Sequence, residues 1–113
     1  MITIYHNSSC TKSRIALAAL TQSGEEFKVV NYLEDVPSVE KLKEILKKLN
    51  IKPFDLIRVT ENLYKEKYKD KNLTDEEWIV VMHENPVLIQ RPILVKDDFA
   101  VIGRSDDALD EII

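Results

Sequence analysis

Tyr5-His6-Asn7-Ser8-Ser9-Cys10-Thr11-Lys12-Ser13-Arg14 joins two kinds of sequence. Upstream, Ile2-Thr3-Ile4-Tyr5 is β-branched or aromatic at each position, which suits a strand. Downstream, Ile15 to Leu20 is alanine-rich, has no glycine or proline, and reads as helix. Cys10 therefore falls in a strand-to-helix loop, beside backbone N–H groups that lack a partner within the helix. Those donors and the helix dipole favour negative charge, so a thiol there ionises more readily. Cysteines at helix N-termini have pKa values of roughly 3.5–7.5, against about 8.5 when free. A buried structural cysteine is the plainer reading, but Asn7, Ser8, Ser9, Thr11, Lys12 and Ser13 do not make a core environment. Cys10 is a candidate nucleophile.

Working outward, the helix from about Thr11 to Gln22 ends at Gly24, a C-cap candidate. Phe27-Lys28-Val29-Val30 follows as a second strand running toward Tyr32, and the βαβ unit implies a parallel pair with a right-handed crossover. Ser38 N-caps a helix whose apolar stripe is Val39, Leu42, Ile45, Leu46 and Leu49, closed by Asn50. Pro53 to Ile57 reads as a short helix, and a charged segment surrounds Tyr64 and Tyr68. Thr74-Asp75-Glu76-Glu77 matches a capping box, with Trp78, Val81 and Met82 on the buried face behind it. Asn85-Pro86 stops that helix. Pro92 to Val95 is a third strand, Asp97-Asp98 a two-residue turn, and Phe99 to Ile102 the fourth strand of an antiparallel hairpin. After Gly103-Arg104-Ser105 comes a last helix, with Leu109, Ile112 and Ile113 inward. The order is β-α-β-α, a helical excursion, then β-β-α around a mixed four-stranded sheet.

The bulk numbers narrow the classes. A chain of 113 residues is expected to form one domain, able to build a core without disulfides or metal. A single cysteine rules out an internal disulfide and fits a reducing cytoplasm. No signal peptide is read at the N-terminus, and no apolar run approaches the roughly 18 residues of a membrane span. Net charge is −4 and no basic cluster stands free of acids, so neither nucleic acid nor membrane is an expected partner. Two histidines and one cysteine lie at no ligand spacing, so no metal is expected.

Lysines lie mostly on helix surfaces among acids, where they serve solubility and pairing. The arginines are placed differently. Arg14 lies in the first turn after Cys10; Arg58 follows a short helix; Arg91 precedes Pro92 at the mouth of strand three; Arg104 follows strand four. A guanidinium offers a rigid fork suited to carboxylate, phosphate or a similar oxyanion. Arg58, Arg91 and Arg104 are read as an anion clamp, the alternative being that each pairs with a nearby acid. Arg91-Pro92 admits either a cis bond or the ordinary trans proline at a strand's first residue.

His6-Asn7-Ser8-Ser9-Cys10 with Ser13-Arg14 resembles the active-site loop of the glutathione- and glutaredoxin-dependent arsenate reductases. The resemblance continues through Leu56-Ile57-Arg58, Glu61, Tyr64, Asn85-Pro86, Gln90-Arg91-Pro92-Ile93 and Gly103-Arg104, covering essentially the whole chain in order. It implies an α/β thioredoxin-like fold over residues 1–113, with the helical insertion at about 38–86. It also implies that Cys10 is the nucleophile, that Arg58, Arg91 and Arg104 bind the oxyanion, that His6 helps keep the thiol ionised, and that Pro92 is cis. Asn7, Ser13 and Arg14 are supporting residues. Spx-type regulators, which share the fold and bind RNA polymerase without catalysis, are the rival from another class. A thiol oxidoreductase acting on glutathione mixed disulfides is a second enzymatic rival.

Reducing As(V) to As(III) takes two electrons, hence two thiols. Ser13 occupies the last place of a Cys-x-x-Cys pattern, so no resolving thiol exists there. Electrons are expected from outside, from glutathione with glutaredoxin, and no bound cofactor is expected. Ser13 is expected to donate to the thiolate or cap the helix, and His6 to assist the leaving oxygen or stabilise the thiolate.

Overall fold

Alternation shows which face of the first strand packs inward. Along β1 (Ile2–His6) Ile2, Ile4 and His6 are buried while Thr3 and Tyr5 are half-buried, the period-two pattern of a pleated strand with one fully covered face. β1 runs parallel to β2 (Phe27–Asn31) and antiparallel to β3 (Ile93–Lys96), which pairs antiparallel with β4 (Phe99–Ile102). The sheet order is β2-β1-β3-β4. This computed structural model describes residues 1–113 and shows the expected α/β fold with a mixed four-stranded sheet.

The chain forms two compact units, one of Met1–Asp35 with Arg91–Ile113 and one of Val36–Gln90. The first contains the sheet, α1 (Thr11–Ser23) and the five-residue α5 (Asp106–Asp110). Ile2, Ile4, Leu94 and Val101 from the strands meet Ala16 and Leu20 of α1 and Leu109 and Ile112 of the C-terminal segment. At roughly 25 cal/mol per Å² of apolar surface, burial of such side chains is the main stabilising term. Gly24 ends α1 at φ 77, where a Cβ would be strained. Asp97 opens the β3–β4 turn at φ 55.

Register brings three segments to one end of the sheet. Tyr5 pairs with Ile93 and Ile93 pairs with Ile102. The chain leaving β1 toward Cys10, the Arg91–Pro92 entry to β3, and the Gly103–Arg104 exit from β4 therefore share that end. The Arg91–Pro92 peptide is cis. Gly103 N–H donates to Pro92 O at 2.8 Å, and a Cβ on Gly103 would stand 2.7 Å from Leu94 Cδ1 and 3.0 Å from Leu109 Cδ2. Leu94 is fully buried and has little room to yield. Gly103→Ala is expected to cost about 1–3 kcal/mol, the usual range for overpacking a core. Urea denaturation checks this, and an unchanged midpoint would show that Leu94 repacks freely.

The second unit is helical. It contains α2 (Val39–Leu49), α3 (Asn62–Lys67), α4 (Asp75–Glu84) and 3₁₀ turns at Pro53–Leu56 and Pro86–Leu88. Ser38 Oγ accepts from Lys41 N–H at 3.0 Å, and Asn50 closes α2 at φ 58. Thr74 and Glu77 form the reciprocal capping box of α4, at 3.2 and 2.9 Å. Each cap supplies acceptors that a helix start otherwise lacks. Phe54, Tyr64 and Tyr68 surround Trp78, with the Phe54 and Trp78 centroids 5.2 Å apart. His83, in the last turn of α4, places Nδ1 2.8 Å from Pro37 O.

Candidate active site

The loop that presents Cys10 is built from two nested turns. Asn7 Oδ1 accepts from Ser9 N–H at 3.0 Å, an Asx turn, while Asn7 O accepts from Cys10 N–H at 3.0 Å. Cys10 then takes the N-cap position of α1 in extended conformation, and its carbonyl accepts the first helical bond, from Arg14 N–H at 3.0 Å. Arg14 ties the loop from outside. Its guanidinium donates to Ser8 O at 3.0 Å and to Thr11 Oγ1 at 3.2 Å. Asn7 and Ser13 are buried and Cys10 is half-buried, so a rigid base carries an accessible thiol.

Ser13 departs from expectation. Its hydroxyl neither donates to sulfur nor caps α1; it accepts from the buried Asn7 N–H at 3.3 Å. It is the serine's main-chain N–H, in the first helical turn, that lowers the thiol. Ser13→Ala is thus expected to leave a buried donor unpaired, at a cost of about 1–3 kcal/mol, with the Cys10 titration nearly unmoved. Thermal melts and thiol titration on the same variant test both halves. A large upward shift of the thiol would return a role to the hydroxyl.

Burial pushes the Cys10 thiol up, but four influences outweigh it. These are the Ser13 N–H, a hydrogen bond from the Arg91 guanidinium, the Lys12 N–H, and the Arg91 charge, and together they bring the thiol from 9.0 down to about 7. No side-chain cap hydrogen bond is formed at Cys10, so the amides act as nearby dipoles that the sulfur meets more closely as it gains charge. His6 is not among these influences. Burial and the Arg14 charge hold the imidazole below its usual 6.5, and its buried Nδ1 has no hydrogen-bond partner. At neutral pH His6 is an uncharged ring; the charge expected to hold the thiolate comes from Arg91 instead.

Of the three arginines read as a clamp, Arg91 and Arg104 belong to the unit that carries Cys10. Arg104 Nη1 donates to Arg91 O at 2.8 Å, so the two are linked through the cis Arg91–Pro92 segment. Arg58 belongs to the unit of Val36–Gln90. There its Nε lies 3.2 Å from Glu61 Oε2, a half-buried ion pair, and its N–H donates to Leu88 O at 2.7 Å. No group of three or more His, Cys, Asp or Glu side chains converges anywhere in the molecule. No helix is long and apolar enough to cross a membrane.

Comparison with known proteins adds a family to this geometry. The family model described as the ArsC family matches residues 5–112. The chain belongs to the ArsC family. Among its relatives, the arsenate reductase of Haemophilus influenzae is 37% identical over 114 residues, covering 99% of this chain and 98% of that protein. The uncharacterized protein YfgD of Escherichia coli is 40% identical, covering 99% and 96%. The solved arsenate reductase from Vibrio cholerae superposes with a TM-score of 0.92 at 40% identity, over 99% of this chain and 97% of that one.

Two contacts in this ArsC-family site escaped the sequence. The Arg104–Arg91 link spans thirteen positions and leaves no local trace. The Asn7 turn did have a signal, an Asn followed two residues later by a small polar residue.

Proposed function

We propose that the chain reduces arsenate to arsenite through Cys10, drawing electrons from external thiols, glutathione with glutaredoxin. The observation that carries this is a half-exposed thiol lowered to about 7 and hydrogen-bonded to an arginine, in a chain with one cysteine. Membership of the ArsC family and the arsenate reductases among its relatives support the substrate.

In this reading Arg91 and Arg104 hold the oxyanion by positioning and charge neutralisation, while Cys10 attacks arsenic. The Cys10 thiol and hydrogen arsenate give an S–As(V) ester and water, with the thiol proton leaving in that water. Neutral His6 is suited to relay that proton; Arg58 is assigned to the oxyanion by the family resemblance alone. A thiol RSH then attacks the Cys10 sulfur. A sulfur–sulfur bond forms, the S–As bond breaks, and its electron pair stays on arsenic, which departs as arsenite. A second thiol attacks the Cys10–S–S–R disulfide and restores Cys10. Two thiols are oxidised to one disulfide as As(V) gains two electrons.

A coupled assay tests the reading. With glutathione, glutaredoxin and glutathione reductase present, arsenate-dependent NADPH oxidation is the expected result. No turnover, with RNA polymerase captured from lysate, would replace the enzyme with an Spx-type regulator.

A further inference from the structure

A cleft of about 210 Å³ lies between α1 and the β4–α5 turn, lined by Lys12, Ile15, Arg104, Asp106 and Leu109 among others. That volume is below the roughly 300–1,000 Å³ of pockets that enclose a whole small molecule, so it suits one end of a longer ligand. Its lining has three characters. Lys12 and Arg104 supply positive charge and Asp106 negative charge. Ile15, 46% exposed, and the buried Leu109 supply apolar wall and floor. None of the ion pairs formed in the structure involves Lys12, Arg104 or Asp106, so these charges are not spent on one another.

The cleft is tied to the thiol on both sides. Lys12 turns its main-chain N–H to Cys10 while lining the cleft. Arg104 lines it from the opposite element and holds the carbonyl of Arg91, whose guanidinium bonds the sulfur. In a chain of net charge −4, this gathers cations where an anionic reactant would approach Cys10. A carboxylate alone would meet Asp106 unfavourably. A ligand end bearing both a carboxylate and an ammonium satisfies all three charges, and a short methylene stem would cover Ile15 and Leu109.

We propose that this cleft binds the amino-acid end of the reducing thiol, with Lys12 and Arg104 on its carboxylate and Asp106 on its ammonium, and so directs its sulfur to Cys10. The proposal rests on the reading of Cys10 as the sulfur that external thiols attack. Its step is thiol–disulfide exchange. The bound thiol loses its proton to solvent and attacks the sulfur of a Cys10–S–X species, and X leaves with the electron pair of the broken bond.

The test uses the full-length protein with Cys10 converted to its thionitrobenzoate mixed disulfide, and no arsenate. Release of thionitrobenzoate is followed by absorbance with four thiols: glutathione, its N-acetyl derivative, its diethyl ester and 2-mercaptoethanol. Rates are corrected for each thiol's ionisation. The expected result is saturation with glutathione, linear dependence with 2-mercaptoethanol, and weaker saturation when either the ammonium or the carboxylates are masked. Lys12→Glu should lower the glutathione to 2-mercaptoethanol rate ratio by up to about fivefold, since one exposed ion pair accounts for up to roughly that factor. Asp106→Lys should erase the difference between glutathione and its N-acetyl derivative. Four thiols that differ only by their ionisation, or ratios untouched by both charge reversals, would overturn the proposal. Because arsenate is absent, a chain that keeps this discrimination but fails the coupled assay would lose the arsenate reading and retain the cleft.

Discussion

If the chain reduces arsenate as proposed, Cys10→Ser is expected to abolish that turnover and leave the fold as stable as before, the largest effect expected of any single substitution here. Removing a nucleophile lowers turnover on the order of a thousandfold or more, and no second cysteine in the sequence can stand in. Stability should hold for a separate reason. Cys10 is the N-cap of α1 and makes no side-chain cap hydrogen bond, whereas serine is among the preferred N-cap residues and contributes typically about 1 kcal/mol there relative to alanine. The melting temperature should stay level or rise slightly while the coupled assay falls to background. Retained turnover would sink the nucleophile assignment outright.

The second large effect belongs to Arg91→Gln, and its sign follows from the direction of the thiol shift. Arg91 lowers the thiol through both a hydrogen bond and charge, so its loss moves the Cys10 pKa up from about 7 toward 9.0. A thiol of pKa near 7 is about half ionised at neutral pH; near 8.5 only a few per cent is thiolate. Alkylation by iodoacetamide at pH 7 should therefore slow by up to about tenfold, the Ser13 and Lys12 N–H groups retaining part of the shift. The inflection of its pH profile should move upward, with wild type and variant converging above pH 9. Linkage gives a second readout. An acid whose folded pKa is depressed contributes stability that is fully present above its unfolded value and lost as pH falls through the folded one. The thiolate's contribution should accordingly fade as pH drops through about 7 in wild type, and at higher pH in the variant. An alkylation profile unmoved by the substitution would remove Arg91 from the site. Arg91→Lys, which keeps charge but loses the planar fork, should fall between the two.

Much of this was legible because the signals were local. The β-branched run before the loop, the alanine-rich run after it, Ser38, the Thr74–Glu77 box, Asn50 and the Asp97-Asp98 turn each declare a boundary through chemistry within four residues. The structure places every one where that chemistry puts it. The place of Cys10 at a helix start was legible for the same reason, since it follows from flanking propensity. What was hidden depends on sheet register and on packing across many positions. That Tyr5 faces Ile93 and Ile93 faces Ile102 decides that Arg91 and Arg104 share an end of the sheet with Cys10. Spacing makes Ser13 the counterpart of a second cysteine, which points its hydroxyl to the thiolate or to a helix cap. Its burial instead gives the hydroxyl to Asn7, a choice set by the loop's own fold. Burial and the Arg14 charge, which hold the His6 imidazole below its usual value, likewise depend on packing that no local pattern declares.

The half-exposed setting of Cys10 carries a consequence beyond catalysis. A thiol that solvent reaches and that has no intramolecular partner cannot retreat into a protective internal bridge when its surroundings become oxidising. Its thiolate is then open to exchange with the disulfide of whichever small thiol is most abundant, releasing one molecule of that thiol, and the cap would come off only when reduced thiol returns. The fraction of molecules carrying such an adduct, read as a mass increment on the intact chain, is thus a gauge of the ratio of oxidised to reduced thiol around it.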